Sequence, residues 1–377
     1  MLSFWEKDSY YTHTDIIIIG AGLMGLWTAL ELKKQSTSLS ITILERNSTP
    51  LGASTRNAGF ACFGSLTELL SDEAQMGTQA MLKILESRYK GIQKIKSYFS
   101  EATIQYDPCG GYEAIPNSHA TAANLDEHIH YLNQLLSPIT NLNQTFTNRT
   151  AQMQEIGLKN FDHLVGNVLE AGIHSGKLVN ALSKLVIEKG VRILYGLEVK
   201  EWHSNQNGVQ VQTENGVTLT ANQMVSCMNG FTQQLMPSLN IVPARGQIIV
   251  TNEFEHLPMK GTFHFDEGFY YWRNLGNRIL IGGARNLDFE GEETTDLSGT
   301  EKIRTHLLHF LQEHIVTEEK MEIVQYWSGI MGFTPTKKPL TEWVAPNTIA
   351  AIACNGMGVA LTPVIAENLA KMVTANL

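Results

Sequence analysis

Gly20, Gly22, Gly25 and Glu45 have the residue types and the spacing to hold a dinucleotide. Gly20-Ala21-Gly22-Leu23-Met24-Gly25 lies between an apolar run and a helical pattern, and Glu45 stands 20 residues beyond Gly25. In such a turn the first glycine permits a tight bend, the second lets the backbone approach a pyrophosphate, and the third lets the helix pack close to the strand. The pyrophosphate lies on the helix N-terminus, where unsatisfied N–H groups and the dipole favour anions. A carboxylate at Glu45 accepts from ribose hydroxyls and repels a 2′-phosphate, which disfavours NADP. The motif alone does not choose between NAD and FAD. Two further stretches bear on a flat ring: the small polar segment 51–60 and the glycine turn Cys354-Asn355-Gly356-Met357-Gly358. A helix opening at that second turn would aim its positive end at a flavin edge that becomes negative on reduction.

For this chemistry the glycines must sit between a strand and a helix, and the chain supplies both. Residues 15–19 read Asp-Ile-Ile-Ile-Ile, the pattern of a buried parallel strand. A helical pattern through Leu26, Leu30 and Leu32, a loop at 36–40 and a strand at 41–44 complete a βαβ opening. Ser65 and Glu68 form a capping-box pattern at the head of a helical region over 66–99, which Gly77 and Gly91 should divide or bend. Strands are expected over 103–117 around a turn at 108–111, and helices over 120–136 and 175–190. A hairpin with a two-residue Asn215-Gly216 turn follows, then a separate strand at 223–228. Several strands between 241 and 284, a helix over 302–314, a strand over 348–354 and a closing helix complete an α/β pattern. There is no internal repeat or low-complexity linker, so the domains are expected to interleave.

The chain has 377 residues, too many for one ordinary core, and its 43% hydrophobic and 17% charged content is that of a globular protein. With 28 basic and 37 acidic residues the formal charge is −9, and there is no Lys/Arg block. That balance speaks against nucleic acid or an anionic membrane surface as a partner. The uncharged stretch 16–30 is broken by three glycines and is shorter than the roughly 20 residues a bilayer span needs. Residues 1–11 carry Glu6, Lys7 and Asp8 rather than a positive leader. Cys62, Cys109, Cys227 and Cys354 form no CxxC pair, so reduced thiols and a cytoplasmic location are expected. His119, His128 and His130 lack a recognised ligand spacing, so no metal is expected.

Taken in order, Gly20 to Gly25, Glu45-Arg46, Ser54-Thr55-Arg56-Asn57-Ala58-Gly59 and Asn355-Gly356-Met357-Gly358 resemble the FAD-dependent D-amino acid oxidase superfamily. The glycine oxidase and D-amino acid dehydrogenase branch is the nearest match. Glu198-Val199, Pro243-Ala244-Arg245-Gly246-Gln247, Gly282-Gly283-Ala284-Arg285 and Trp327-Ser328-Gly329-Ile330-Met331 agree with it, and the resemblance runs from Asp15 onward. It implies an α/β fold: a glutathione-reductase-like, Rossmann-type FAD-binding domain with an inserted mixed-sheet α+β substrate domain. The first would take residues 1–102, 160–236 and 321–377, the second 103–159 and 237–320. It implies noncovalent FAD held at Gly20, Ala21, Gly22, Leu23, Met24, Gly25, Glu45, Arg46, Ser54, Thr55, Asn57, Ala58, Gly59, Val199, Asn229, Gly230, Gly329, Met331, Gly356, Met357 and Gly358. The implied reaction oxidises the C–N bond of a small amine or amino acid. Hydride passes to flavin N5, the imine is hydrolysed, and oxygen or an electron carrier is the acceptor. Oxidation of a 2-hydroxy acid and a flavin-bound assembly role without turnover are the alternatives.

The resemblance fails at one position. Glycine and D-amino acid oxidases hold the substrate carboxylate with an arginine, usually helped by a tyrosine. In the glycine oxidase pattern that arginine follows the Trp-x-Gly-Ile stretch, where this chain has Met331. A buried carboxylate needs a paired cation, so the open alternatives are a neutral amine, an N-methylated compound, or a carboxylate held from elsewhere, for which Arg245, Arg273 and Arg285 are the candidates. Tyr271 resembles the substrate-facing tyrosine, and strand alternation aims it away from Tyr270 and Trp272. Tyr271 and Arg285 are therefore the expected catalytic residues.

Overall fold

The isoleucine run forms the strand Thr14–Ile19, in which Ile16, Ile17 and Ile18 are fully buried, in a computed structural model that describes residues 2–377. Branched side chains buried on both faces suit a parallel sheet covered by helices. Thr348–Ile352, Thr218–Ser226, Thr14–Ile19, Ile41–Glu45 and Arg192–Tyr195 lie side by side and run parallel. Leu340–Ala345 closes one edge in the antiparallel sense. The helices Leu23–Gln35 and Gly358–Thr374 pack against each other.

The hairpin departs from expectation. Thr218–Ser226 is one continuous strand whose first half pairs with Gly208–Thr213 and whose second half pairs with Thr14–Ile19. Its loop has three residues, because Thr213 N–H donates to the Val217 carbonyl at 2.9 Å. The expected two-residue turn needs positive φ at both central positions, and only Gly216 has it, at +74°.

A second mixed sheet contains eight strands in the order Ile323–Phe333, Val242–Thr251, Arg278–Gly283, Tyr270–Leu275, Thr262–Phe265, Gly111–Ile115, His163–Asn167 and Phe146–Asn148. Its core contains Phe263 and Trp272, stacked 5.3 Å apart, and the buried Leu307, Phe310 and Leu311 of the helix Glu301–His314. Gly77, at φ +82°, separates the helices Leu66–Met76 and Thr78–Tyr98, whereas Gly91 is buried inside the latter without breaking it. The helix expected at 120–136 is Leu125–Thr140, because residues 120–124 wind into a 3-10 turn. Only one strand forms within 103–117. Ser100 accepts from Thr103 N–H at 3.3 Å and starts the short helix Glu101–Ile104, which ends at Gln105 with φ +46°.

The chain divides into two compact units. The first takes the chain up to Thr55 with Gly176–Ala244 and Ile330–Leu377; the second takes Arg56–Ser175 and Arg245–Gly329. The two units interleave along the chain, at bounds other than those expected for the two domains. Residues 56–102 and 160–175 join the second unit, where Leu66–Met76 and Thr78–Tyr98 pack on Leu125–Thr140 and His163–Asn167 pairs with Gly111–Ile115. Residues 321–329 also join it, while 237–244 join the first, whose core includes Leu239 and Ile241. Among the described residues no helix is long and apolar enough to cross a membrane.

Candidate active site

Four neighbouring parallel strands of the first unit end together, and each leads into a segment with expected dinucleotide residues. Ile19 is level with Ser226 on one side and Leu44 on the other, and Ser226 with Ala350. The crevice beyond the carboxyl ends of such strands is where open α/β sheets bind ligands. Gly20 N–H donates to the Leu44 carbonyl at 2.8 Å and Cys227 N–H to the Ile19 carbonyl at 2.9 Å, which pins the turn to both neighbours. Ala21, Leu23 and Met24 are buried in it. A methyl group on Gly25 would lie 2.0 Å from the Gly20 carbonyl oxygen, so only glycine permits this approach of helix to turn.

The residues of this turn fit an adenine dinucleotide. Gly22 N-caps Leu23–Gln35 without a side chain to occupy the helix end, while Ser54 Oγ accepts from Leu23 N–H at 2.9 Å. A methyl group on Gly22 would stand 2.9 Å from that Ser54 oxygen. Glu45 is buried, its Oε2 accepting from Ala21 N–H at 3.1 Å and its Oε1 from the Asn47 backbone and side-chain amides at 3.1 and 3.3 Å. A carboxylate has about four lone-pair sites, so these three bonds leave capacity for a ribose hydroxyl. Thr55 donates to the Pro50 carbonyl at 2.7 Å and steadies the short helix that carries Ser54. The Arg46 guanidinium lies over the Phe231 ring, 3.8 Å from its centre.

At the far end of the chain Asn229, Gly230, Met331 and Gly356 come together. Asn229, at φ +50°, accepts from Gly332 N–H at 3.2 Å and donates to the Ile330 carbonyl at 3.4 Å. A methyl group on Gly230 would lie 2.6 Å from the Met331 carbonyl, and one on Gly356 would lie 3.9 Å from Met331 Sδ. Met357 N-caps Gly358–Thr374 with no capping side chain, so that helix end also suits an anionic edge. Val199 differs from the rest: its side chain belongs to a buried apolar cluster with Ile17 and Leu44.

In the second unit, Asn57 Oδ1 accepts from Gly59 N–H at 2.9 Å and from the Ser175 hydroxyl at 2.5 Å. Ala58 is buried, and Gly59 takes φ +75° where a methyl group would meet the Ile173 carbonyl at 2.3 Å. Arg273 donates to the Gly59 carbonyl and, at 3.3 Å, to the Ile173 carbonyl. Gly329 follows Ser328, whose carbonyl accepts from Arg56 at 2.8 Å, and the Trp327 indole donates to the Arg56 carbonyl at 3.0 Å.

Tyr271 turns to the opposite face from Tyr270 and Trp272, which are both in the core. Its cross-strand neighbours are His264 and Gly282. Phe60 packs edge-on against both Tyr271 and His264, at 6.1 and 5.3 Å. Burial pushes the Tyr271 phenol up to about 12, partly offset by the positive charge of Arg285, so it remains a neutral donor. Arg285 follows Ala284, at φ +57°, and lies 5.0 Å from the Phe289 ring. Burial lowers its pKa from the usual arginine value, with Tyr271 and Glu292 acting in the opposite direction.

All three arginine candidates are engaged within the protein. Arg245 makes a bidentate pair with buried Glu292, both contacts at 2.9 Å, and Arg273 is bound to backbone carbonyls. Phe231 was missed by sequence reasoning: no local pattern marks it, because its partner Arg46 lies far away in the chain.

The family model described as FAD dependent oxidoreductase (DAO) matches residues 15–372. Among curated proteins the chain is 22% identical to the probable oxidoreductase OrdL of Haemophilus influenzae, over 96% of this chain and 83% of that protein. Among solved structures it is similar to glycine oxidase from Geobacillus kaustophilus, with a TM-score of 0.75, 20% identity and coverage of 97% of this chain and 96% of that one. L-proline dehydrogenase from P. horikoshii gives a TM-score of 0.76 at 17% identity, with 97% and 94% covered. At these identities the two structures establish the fold. The match over nearly the whole chain establishes the family: this protein belongs to the FAD dependent oxidoreductase (DAO) family.

Proposed function

We propose that the protein oxidises the carbon–nitrogen bond of a small amino acid or amine that carries a carboxylate, with Arg285 and Tyr271 at the substrate. The observation that carries this reading is their common setting. Tyr271 leaves the core face of its strand, and Arg285 acts on its phenol electrostatically. A guanidinium offers a carboxylate paired donors and a full charge, and a neutral phenol adds one more donor. Phe60 and Phe289 supply apolar surface beside them. Together these groups can bind and orient an acidic substrate in place of the arginine that Met331 replaces.

Bound FAD supplies the two-electron sink for the dehydrogenation. Gly20 to Gly25 and Glu45 would hold its adenosine diphosphate part, and the N-terminus of Gly358–Thr374 would favour charge on the ring edge. The protein's own residues contribute orientation and charge rather than a nucleophile. Glycine oxidase and L-proline dehydrogenase, named for oxidation of amino acids, share the fold, which favours the same reaction class here. The test is anaerobic mixing of the yellow protein with D- and L-amino acids, N-alkyl amino acids and amines lacking a carboxylate. Flavin bleaching by acids with a carboxylate, and weaker bleaching of Arg285→Leu by those acids alone, supports the reading. Equal bleaching by substrates without a carboxylate would remove Arg285 from the site.

A further inference from the structure

Cys62, Glu170 and His264 are far apart in sequence and fold into one buried cluster of the second unit, at 7%, 2% and 6% exposure. A thiol sulfur, a carboxylate oxygen and a ring nitrogen, one from each, all lie within 4.8 Å of one another. Glu170 is already oriented: its Oε1 accepts from Phe63 N–H at 2.7 Å and Gly64 N–H at 3.0 Å, while Oε2 faces His264 Nε2 at 3.4 Å. That last separation is long for a charge-assisted hydrogen bond, which runs about 2.7–2.9 Å. It is close to the spacing of roughly 3.3–3.4 Å between two ligands that each sit about 2.0–2.1 Å from one tetrahedral zinc ion. A cavity of about 10 Å³ beside the pair, lined by Glu113, Glu170 and His264 together with Tyr112, Phe146 and Val165 but not by Cys62, holds room for one water-sized ligand.

We infer that Cys62, Glu170 and His264 bind a divalent cation of the zinc type, with water as the fourth ligand. Mixed sulfur, nitrogen and oxygen donors suit zinc better than magnesium or calcium, which take oxygen. A thiolate and a carboxylate together balance the charge of the dication; the thiol proton leaves to solvent. The backbone amides on Glu170 Oε1 form the outer layer of hydrogen bonds that orients a metal-bound carboxylate. Cys62 directly follows the strand Phe60–Ala61, and His264 pairs with Tyr271, so the ion would fasten the Phe60 segment to the strand beside Tyr271.

The test uses the FAD-loaded enzyme, dialysed against metal-free buffer and analysed for metal by mass spectrometry. A second sample is stripped with EDTA and titrated with Co²⁺ or Zn²⁺. The expected results are one zinc per chain, Co²⁺ ligand-field absorption on the long-wavelength side of the flavin bands, and a higher melting temperature with Zn²⁺. Cys62→Ala and His264→Gln should abolish all three. If His264→Gln does not fold, Cys62→Ala carries the test, since it removes one ligand and leaves the Glu170–His264 contact. Wild-type protein with no bound zinc, no Co²⁺ bands and no melting shift would overturn the inference and identify the cluster as hydrogen-bonded groups around a water.

Discussion

Arg245 and Arg285 carry the same charge and differ in their surroundings. Arg245 neutralises Glu292, which is 1% exposed and also accepts from Gln247 at 2.7 Å. Removing the guanidinium with Arg245→Met strands a buried carboxylate, and about 3–5 kcal/mol of stability should be lost, measured by chemical denaturation. Arg285→Leu should lower kcat/KM for a carboxylate substrate about 10- to 150-fold, the equivalent of the about 1.5–3 kcal/mol of a charged hydrogen bond. Tyr271 makes a prediction of its own. A phenol whose pKa is raised on folding binds its proton more tightly in the native state. Its contribution to stability is therefore present below its ordinary value of 10.0 and is lost as pH rises from there toward about 12. The phenolate difference spectrum between wild type and Tyr271→Phe should accordingly titrate near about 12; a transition near 10 would show a solvated phenol.

At the scale of elements, the turn between Thr14–Ile19 and Leu23–Gln35 separates packing from ligand binding. A methyl group on Gly25 meets a backbone oxygen that cannot move away, so Gly25→Ala should cost at least about 1–3 kcal/mol of stability as overpacking. A methyl group on Gly22 meets a serine hydroxyl and the space beyond the helix end. Gly22→Ala should therefore fold and retain less FAD, measured as the ratio of flavin to protein absorbance after gel filtration. Unchanged flavin content would contradict the pyrophosphate assignment. This turn was legible in the sequence because its cause is local: the strand, the glycines, the helix and Glu45 fall within one βαβ unit. The outward aim of Tyr271 was legible for the same reason, through strand alternation. The three-residue hairpin loop and the short helix at Glu101–Ile104 were not: the Thr213–Val217 pairing adds one residue to the loop, and a single capped turn is too short to show a helical period.

At the scale of the whole molecule, the chain passes between its two units several times. Asn229 and Gly356 reach the first unit only after the second has begun, so their approach to the segment around Met331 follows from topology rather than from spacing. Membership of the FAD dependent oxidoreductase family makes the flavin the common element. Within the resemblance, this chain departs at Met331, where the glycine oxidase pattern has arginine. The most direct test of C–N oxidation compares an amino acid with the 2-hydroxy acid of the same carbon skeleton, each mixed anaerobically with the flavin-loaded protein. Absorbance of the oxidised flavin is followed, and the products are analysed for ammonia or amine. The account predicts bleaching by the amino acid with release of ammonia or amine, and no bleaching by its hydroxy counterpart. Bleaching by the hydroxy acid alone, or by no compound of either class, would contradict it.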